Sequence, residues 1–188
     1  MTFKIDKFEG LGRPSPEIAE GSSVSCLPVR DLSTAEHFLL VAIRHWVKAL
    51  KEQKNPMQIL RRGFNLAKVD AAMEDFHAVM TITANSATTA LDVRCPKCAS
   101  YGDGEKSIIS AVAFAQAEKS QWALQRLGAW LPGSEALAAL AHIEKLAREL
   151  TKSNLVVPLR LEYISRDLVN ASDDAVPQIP SRDYQTMH

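Results

Sequence analysis

No stretch of this chain is apolar for the roughly eighteen residues that a membrane-crossing helix needs, and the opening MTFKIDKFEGLGRPSPE has no apolar core of secretion-signal length. Both absences point to a cytoplasmic protein without a membrane partner. A dominant sign of charge is missing too. The 22 Lys and Arg balance the 22 Asp and Glu, so no global field draws the molecule to nucleic acid or anionic lipid. Neither a G-x-G-x-x-G fingerprint nor a Walker A lysine occurs, and there is no G-x-S-x-G elbow, which leaves nucleotide binding and elbow-type serine hydrolysis without sequence support. Cysteine is scarce: Cys26, Cys95 and Cys98 are too few, and odd in number, for a disulfide framework. Such a count suits a reducing compartment, where thiols stay free, bind metal or do redox chemistry.

What is present is a chain of 188 residues, 46% hydrophobic and 23% charged, the composition of one folded globular domain. Residues 1–30, with Gly10, Gly12, Pro14, Pro16, Gly21 and Pro28, read as an irregular arm whose few apolar residues dock on the body. Residues 31–164 read as a single α-helical domain, and 165–188, with Asp173, Asp174, Pro177 and Pro180, as a loosely held tail. The expected fold is mainly α, a compact bundle of five to six helices.

Helix boundaries follow from local chemistry. Ser33 and Glu36 have the spacing of a capping box, and Phe38, Leu39, Ala42, Ile43, Trp46 and Leu50 then recur at helical spacing, with Val41 and Val47 widening the apolar face. Asn55-Pro56 is a cap followed by proline at the first helical position, and Gly63 marks a bend or a close approach within the helix that follows. Asp70 is the expected cap of a third helix, fading in the run at 85–89, and Asp103 the expected cap of a fourth. Pro132-Gly133 punctuates a fifth, and Ser134 caps a last helix with Leu137, Leu140, Ala141, Leu146 and Leu150 inward. Alternation at Leu91 and Val93, and again at Leu159, Leu161 and Tyr163, predicts a two-strand ribbon pairing about 90–94 with 159–164.

The stretch LDVRCPKCAS carries the chemistry. Cys95 and Cys98, two residues apart, can share a metal or exchange electrons through a disulfide, or pack as small hydrophobes. A structural zinc needs four ligands and only half of that set is adjacent; Cys26 on the arm is the best third ligand, with His37, His45, His77 or His142, or a second subunit, supplying the fourth. For redox work, Arg94 and Lys97 are cations beside Cys95 that favour a thiolate. In spacing alone the pair resembles the CxxC of the alkylhydroperoxidase D type of helical thiol peroxidases. That family's proton-relaying histidine would fall at Gly102, and Asp103-Gly104 places a turn where its helix continues, so the resemblance stops at the two cysteines and implies no activity.

Three further patterns matter. Glu74 and His77 form a Glu-x-x-His of the kind di-iron bundles use, but in a single copy, which favours a solvated glutamate and a partly buried histidine. Between residues 36 and 68, seven basic residues face two acidic ones, with Arg44, Lys48 and Lys51 on one predicted helical face and Arg61-Arg62 on the next helix, a partial footprint for nucleic acid. Trp46, Trp122, Trp130 and Phe38, with the wide apolar face of the first helix, point to a homodimer. By elimination the expected role is a non-enzymatic helical interaction or regulatory module. A thiol-redox or metal-binding protein using Cys95 and Cys98 comes second, with zinc as the metal, and a nucleic-acid-binding regulator third.

Overall fold

The computed structural model describes residues 8–9 and 29–164. They are mainly helical: α1 (Thr34–Lys51), α2 (Pro56–Leu66), α3 (Met73–Ser86), α4 (Asp103–Gln116), α5 (Ser120–Gly128) and α6 (Gly133–Lys152), with two short strands, β1 (Phe8–Glu9) and β2 (Leu91–Asp92). α4 packs against α5 and α6, α3 against α6, and α1 against α2 and α4. The expected bundle is therefore what forms. The tail at 165–188 and most of the arm, Cys26 included, lie outside the described residues.

The capping signals do as their chemistry dictates. Ser33 Oγ accepts from the Glu36 N–H at 3.2 Å while the Ser33 N–H donates to Glu36 Oε2 at 2.7 Å, and Asn55 Oδ1 accepts from the Met57 N–H at 2.9 Å. Four helices end alike. Gln53, Lys68, Glu118 and Asn154 take left-handed backbone after α1, α2, α4 and α6, and the next amide in each case reaches back five residues, as from Lys54 to Ala49 and from Val69 to Phe64. These are Schellman turns made without the usual glycine.

Elsewhere the structure corrects the expectations. Asp70 caps nothing: Val69 is buried as the closing residue of α2, so the chain makes a single 3-10 turn at Asp70–Ala72 before α3. Ser134 lies inside the first turn of α6, its hydroxyl on Glu135, and the inward stripe of that helix is Ala136, Ala139, Ile143, Leu146, Ala147 and Leu150. Leu137 is 57% exposed, and Ala141 is exposed as well. Gly63 lies within one continuous helix, and a Cβ there would find no described atom within 4 Å.

The predicted ribbon partner is replaced. β2 pairs in parallel with β1, Phe8 opposite Leu91, and Phe8 buries its ring edge-on against Trp46. Residues 161–163 coil into a 3-10 turn instead. The reason is Glu36, which is fully buried: Arg160 grips it with Nε and Nη2, each at 2.6 Å, and the Tyr163 hydroxyl donates to it at 2.5 Å. A three-residue spacing returns to the same side on a 3-10 turn but to opposite faces of a strand. Burial alone would raise the Glu36 carboxyl, but bonds from Arg160, Tyr163 and Ser33 hold it below the usual range.

The first helix is central. Leu39, Ile43, Trp46 and Val47 are completely buried, and Trp122 and Trp130 are nearly so. Those three tryptophans therefore lie inside the subunit, while Phe38 is only partly buried and Val41 is exposed on the same helix. Trp46 Nε1 donates to His77 Nδ1 at 2.9 Å while Glu74 stays exposed, as a solitary Glu-x-x-His suggests. Burial holds His77 below its ordinary pKa of 6.5. The unfolded chain takes up a proton there that the folded one resists, so stability present above that ordinary value is lost as pH falls from it toward the lowered one. Urea melts at about pH 7.5 and about pH 5.5 should show this loss in the wild type and a smaller one in His77→Gln; equal losses would contradict it.

Candidate functional site: the Cys95–Cys98 loop

Between β2 and α4 the chain runs through Arg94, the two cysteines and Ser100 to Gly102. Cys95 and Cys98 are joined as a disulfide, their Cα atoms 5.3 Å apart, and the Cys98 N–H closes the turn on Cys95 O at 3.0 Å. Both cysteines are half-buried, and Lys97 at the tip is exposed. The sulfurs thus sit near solvent on a backbone held from below.

What holds it is a buried ion pair. Arg44 and Glu105 project from α1 and α4 with side chains 3% and 0% exposed. Arg44 donates from Nε to Glu105 Oε1 at 2.7 Å and from Nη2 to Oε2 at 3.1 Å; Nη1 reaches Cys98 O at 2.9 Å and Nη2 also reaches Ser100 O at 2.8 Å. Glu105 is equally occupied. Its Oε1 accepts from the Arg94 amide at 3.0 Å and its Oε2 from the Gly102 amide at 2.7 Å. Each carboxylate oxygen therefore takes two donors, which is the condition under which a desolvated pair persists. The carboxylate binds the loop at its two ends, and the guanidinium binds it in the middle.

Glycine makes this approach possible. A Cβ on Gly102 would lie 2.5 Å from Asp92 O, and one on Gly104 would lie 2.7 Å from Leu91 Cβ and 2.8 Å from Asp92 O. Bare backbone at both positions lets the first turn of α4 lie on β2, which sets Glu105 under the loop. On the outer side, the Val29 amide donates to Ala99 O at 2.9 Å and ties the incoming arm to the loop.

Arg44, which the charge pattern placed on a cationic helical face, is thus an internal residue. Lys48 and Lys54 both approach Glu52, and Lys51 reaches Phe8 O, which leaves Arg61, Arg62 and Lys68 exposed with no ion pair among the described residues. Among the described residues, which do not include Cys26, no group of three or more His, Cys, Asp or Glu comes together. His77 is taken by Trp46, His142 Nδ1 lies 2.7 Å from Asp75 Oδ1, and His45 Nδ1 lies 2.9 Å from Val41 O.

Glu105 was visible only as the third residue of a helix, three after Gly102, which has no hydroxyl to complete a capping signature. A stronger signal was Arg44 itself, since Leu40 and Val47, its neighbours along the helix, are both apolar. A cation within an apolar row implies a buried acid. Compared with protein-family models, with curated proteins and with solved structures, the chain matches none.

Breaking a buried pair by removing one partner costs about 3–5 kcal/mol, while replacing both with apolar groups is often neutral. Here the double replacement Arg44→Met/Glu105→Met should fail to restore stability, because it also strands the Arg94 and Gly102 amides and the Cys98 and Ser100 carbonyls. Each single variant should lose roughly 3–5 kcal/mol in chemical denaturation. A double variant as stable as the wild type would show that the pair does not fasten the loop.

Proposed function

We propose that this protein is a non-enzymatic regulatory module that responds to thiol–disulfide state through Cys95 and Cys98. The observation that carries the reading is a disulfide between two half-buried cysteines on a loop whose anchors are all backbone groups. None of those anchors is a sulfur, so the bond can open while the loop stays in place. In the cytoplasm, which the sequence favours, a disulfide is typically transient and redox-sensing rather than structural.

The exchange is a two-electron reaction with a thiol reductant. A thiolate of the reductant attacks one Sγ, the S–S bond breaks, and the other cysteine departs as a thiolate that takes up a proton. A second thiolate resolves the mixed disulfide, leaving two protein thiols and an oxidised reductant. A disulfide-bearing oxidant reverses the sequence. The helical body is the constant part of the module, and the separation and reactivity of the two sulfurs are the variable part.

Equilibration with glutathione at graded ratios of thiol to disulfide, followed by alkylation and mass measurement, tests this. Cys95 and Cys98 should gain label together with a two-electron dependence, and far-UV dichroism should stay constant across the titration. Metal copurifying near one equivalent per chain, with its removal unfolding the protein, would replace this reading with a structural zinc site in which Cys26 is the third ligand.

A further inference from the structure

A groove of about 290 Å³ runs between α1 and α2. Phe38, Val41, Ala42 and His45 line one wall and Ile59, Arg62, Gly63 and Leu66 the other, each set spaced as one helical stripe. Its floor is apolar, with Phe38 edge-on to Phe64 at 5.1 Å between ring centroids. Large apolar side chains stand open to solvent along its rim: Val41 and Ile59 are 39% exposed and Leu66 is 75% exposed. These are adjacent on one surface, which distinguishes them from scattered exposed leucines.

Gly63 is the informative residue. Glycine in a helix interior lowers helix stability relative to alanine, and it is kept where a backbone must approach something closely. No described residue approaches it, because its missing Cβ would meet no atom within 4 Å. It is exposed, one turn from Ile59 and one from Leu66, so it forms a notch in the middle of an apolar stripe. The close approach it permits comes from outside the described residues.

We infer that this groove is the docking site for an amphipathic helix of a partner protein, apolar on one side and acidic along its flanks. Charge selects that occupant. Arg62 on the rim and Arg61 beside it in sequence are exposed and make no ion pair among the described residues, while Glu52, just past the end of α1, is already approached by Lys48 and Lys54. A second copy of this chain docked groove to groove would gather Arg61 and Arg62 of both subunits around one interface, whereas carboxylates flanking an apolar stripe would neutralise them. The stripe from Ile59 to Leu66 is about 10 Å long at a helical rise, which suits two or three anchors at i, i+3 or i+4, and i+7.

The probe is a synthetic 18-residue helical peptide with leucines at those anchor positions and flanking glutamates, titrated by fluorescence anisotropy against the full chain, beside the same peptide with lysines for glutamates. The acidic peptide should bind, more weakly as salt rises, and the lysine version at least tenfold more weakly. Gly63→Gln and Arg62→Glu should each weaken acidic-peptide binding at least tenfold. Gly63→Ala should raise the melting temperature by roughly 2–4 °C, which shows that the glycine does not serve the isolated fold. Equal binding of both peptides, or acidic-peptide binding indifferent to Gly63→Gln, would overturn the inference. So would a chain that sediments as a dimer and becomes monomeric on Gly63→Gln, which would make the occupant a second copy.

Discussion

An arginine taken out of water must be neutralised and must find acceptors for its N–H groups, and in this protein that demand organises everything around Arg44. The guanidinium binds Glu105 with two donors and the loop carbonyls of Cys98 and Ser100 with the rest of its bonds. Glu105 in turn takes the amides of Arg94 and Gly102. A segment that on its own would be an ordinary surface loop is thereby fixed at both ends and at its centre. The glycines at 102 and 104 follow from the same demand, since α4 has to lie directly on β2 to bring its third residue under the loop.

A loop held by its backbone leaves its side chains free to change. That is why the disulfide and its anchoring are separable, and why the redox reading does not require the fold to rearrange. α1 carries both surfaces with which the account is concerned: Arg44 faces inward to the thiol loop, and Val41 and His45 face the groove shared with α2. A second polar clasp, Glu36 with Arg160 and Tyr163, holds the end of the described chain against the first turn of the same helix. Burial, and then the bond to Glu36, push the Tyr163 hydroxyl well above its ordinary range, so it remains a donor at any physiological pH.

The helices were legible where local chemistry is self-sufficient. Ser33 with Glu36, and Asn55 with Pro56, satisfy orphan amides with residues three or fewer positions away, and their elements begin where those residues say. Helix ends were harder to read because four of them turn left-handed at Gln53, Lys68, Glu118 and Asn154, with no glycine to announce it. The strand expected at 159–164 failed for a long-range reason. Arg160 and Tyr163 converge on Glu36, more than 120 residues earlier, and no local alternation reports that contact. At the site, the sequence pointed to Cys95 and Cys98 but not to Glu105, and it assigned Arg44 to the surface by counting charges without weighing the apolar row on which Arg44 lies. Whether Cys26 joins the pair falls outside the described residues.

The central claim is that the Arg44–Glu105 pair, and not the disulfide, holds the loop. Amide hydrogen exchange at Arg94 and Gly102, measured in the oxidised protein and again after reduction, tests it most directly. The account predicts that both amides exchange about as slowly as those of Ile109 and Val112 in the buried run of α4, in both redox states. Exchange at the rate of unprotected loop amides, or protection that vanishes when Cys95 and Cys98 are reduced, would contradict it.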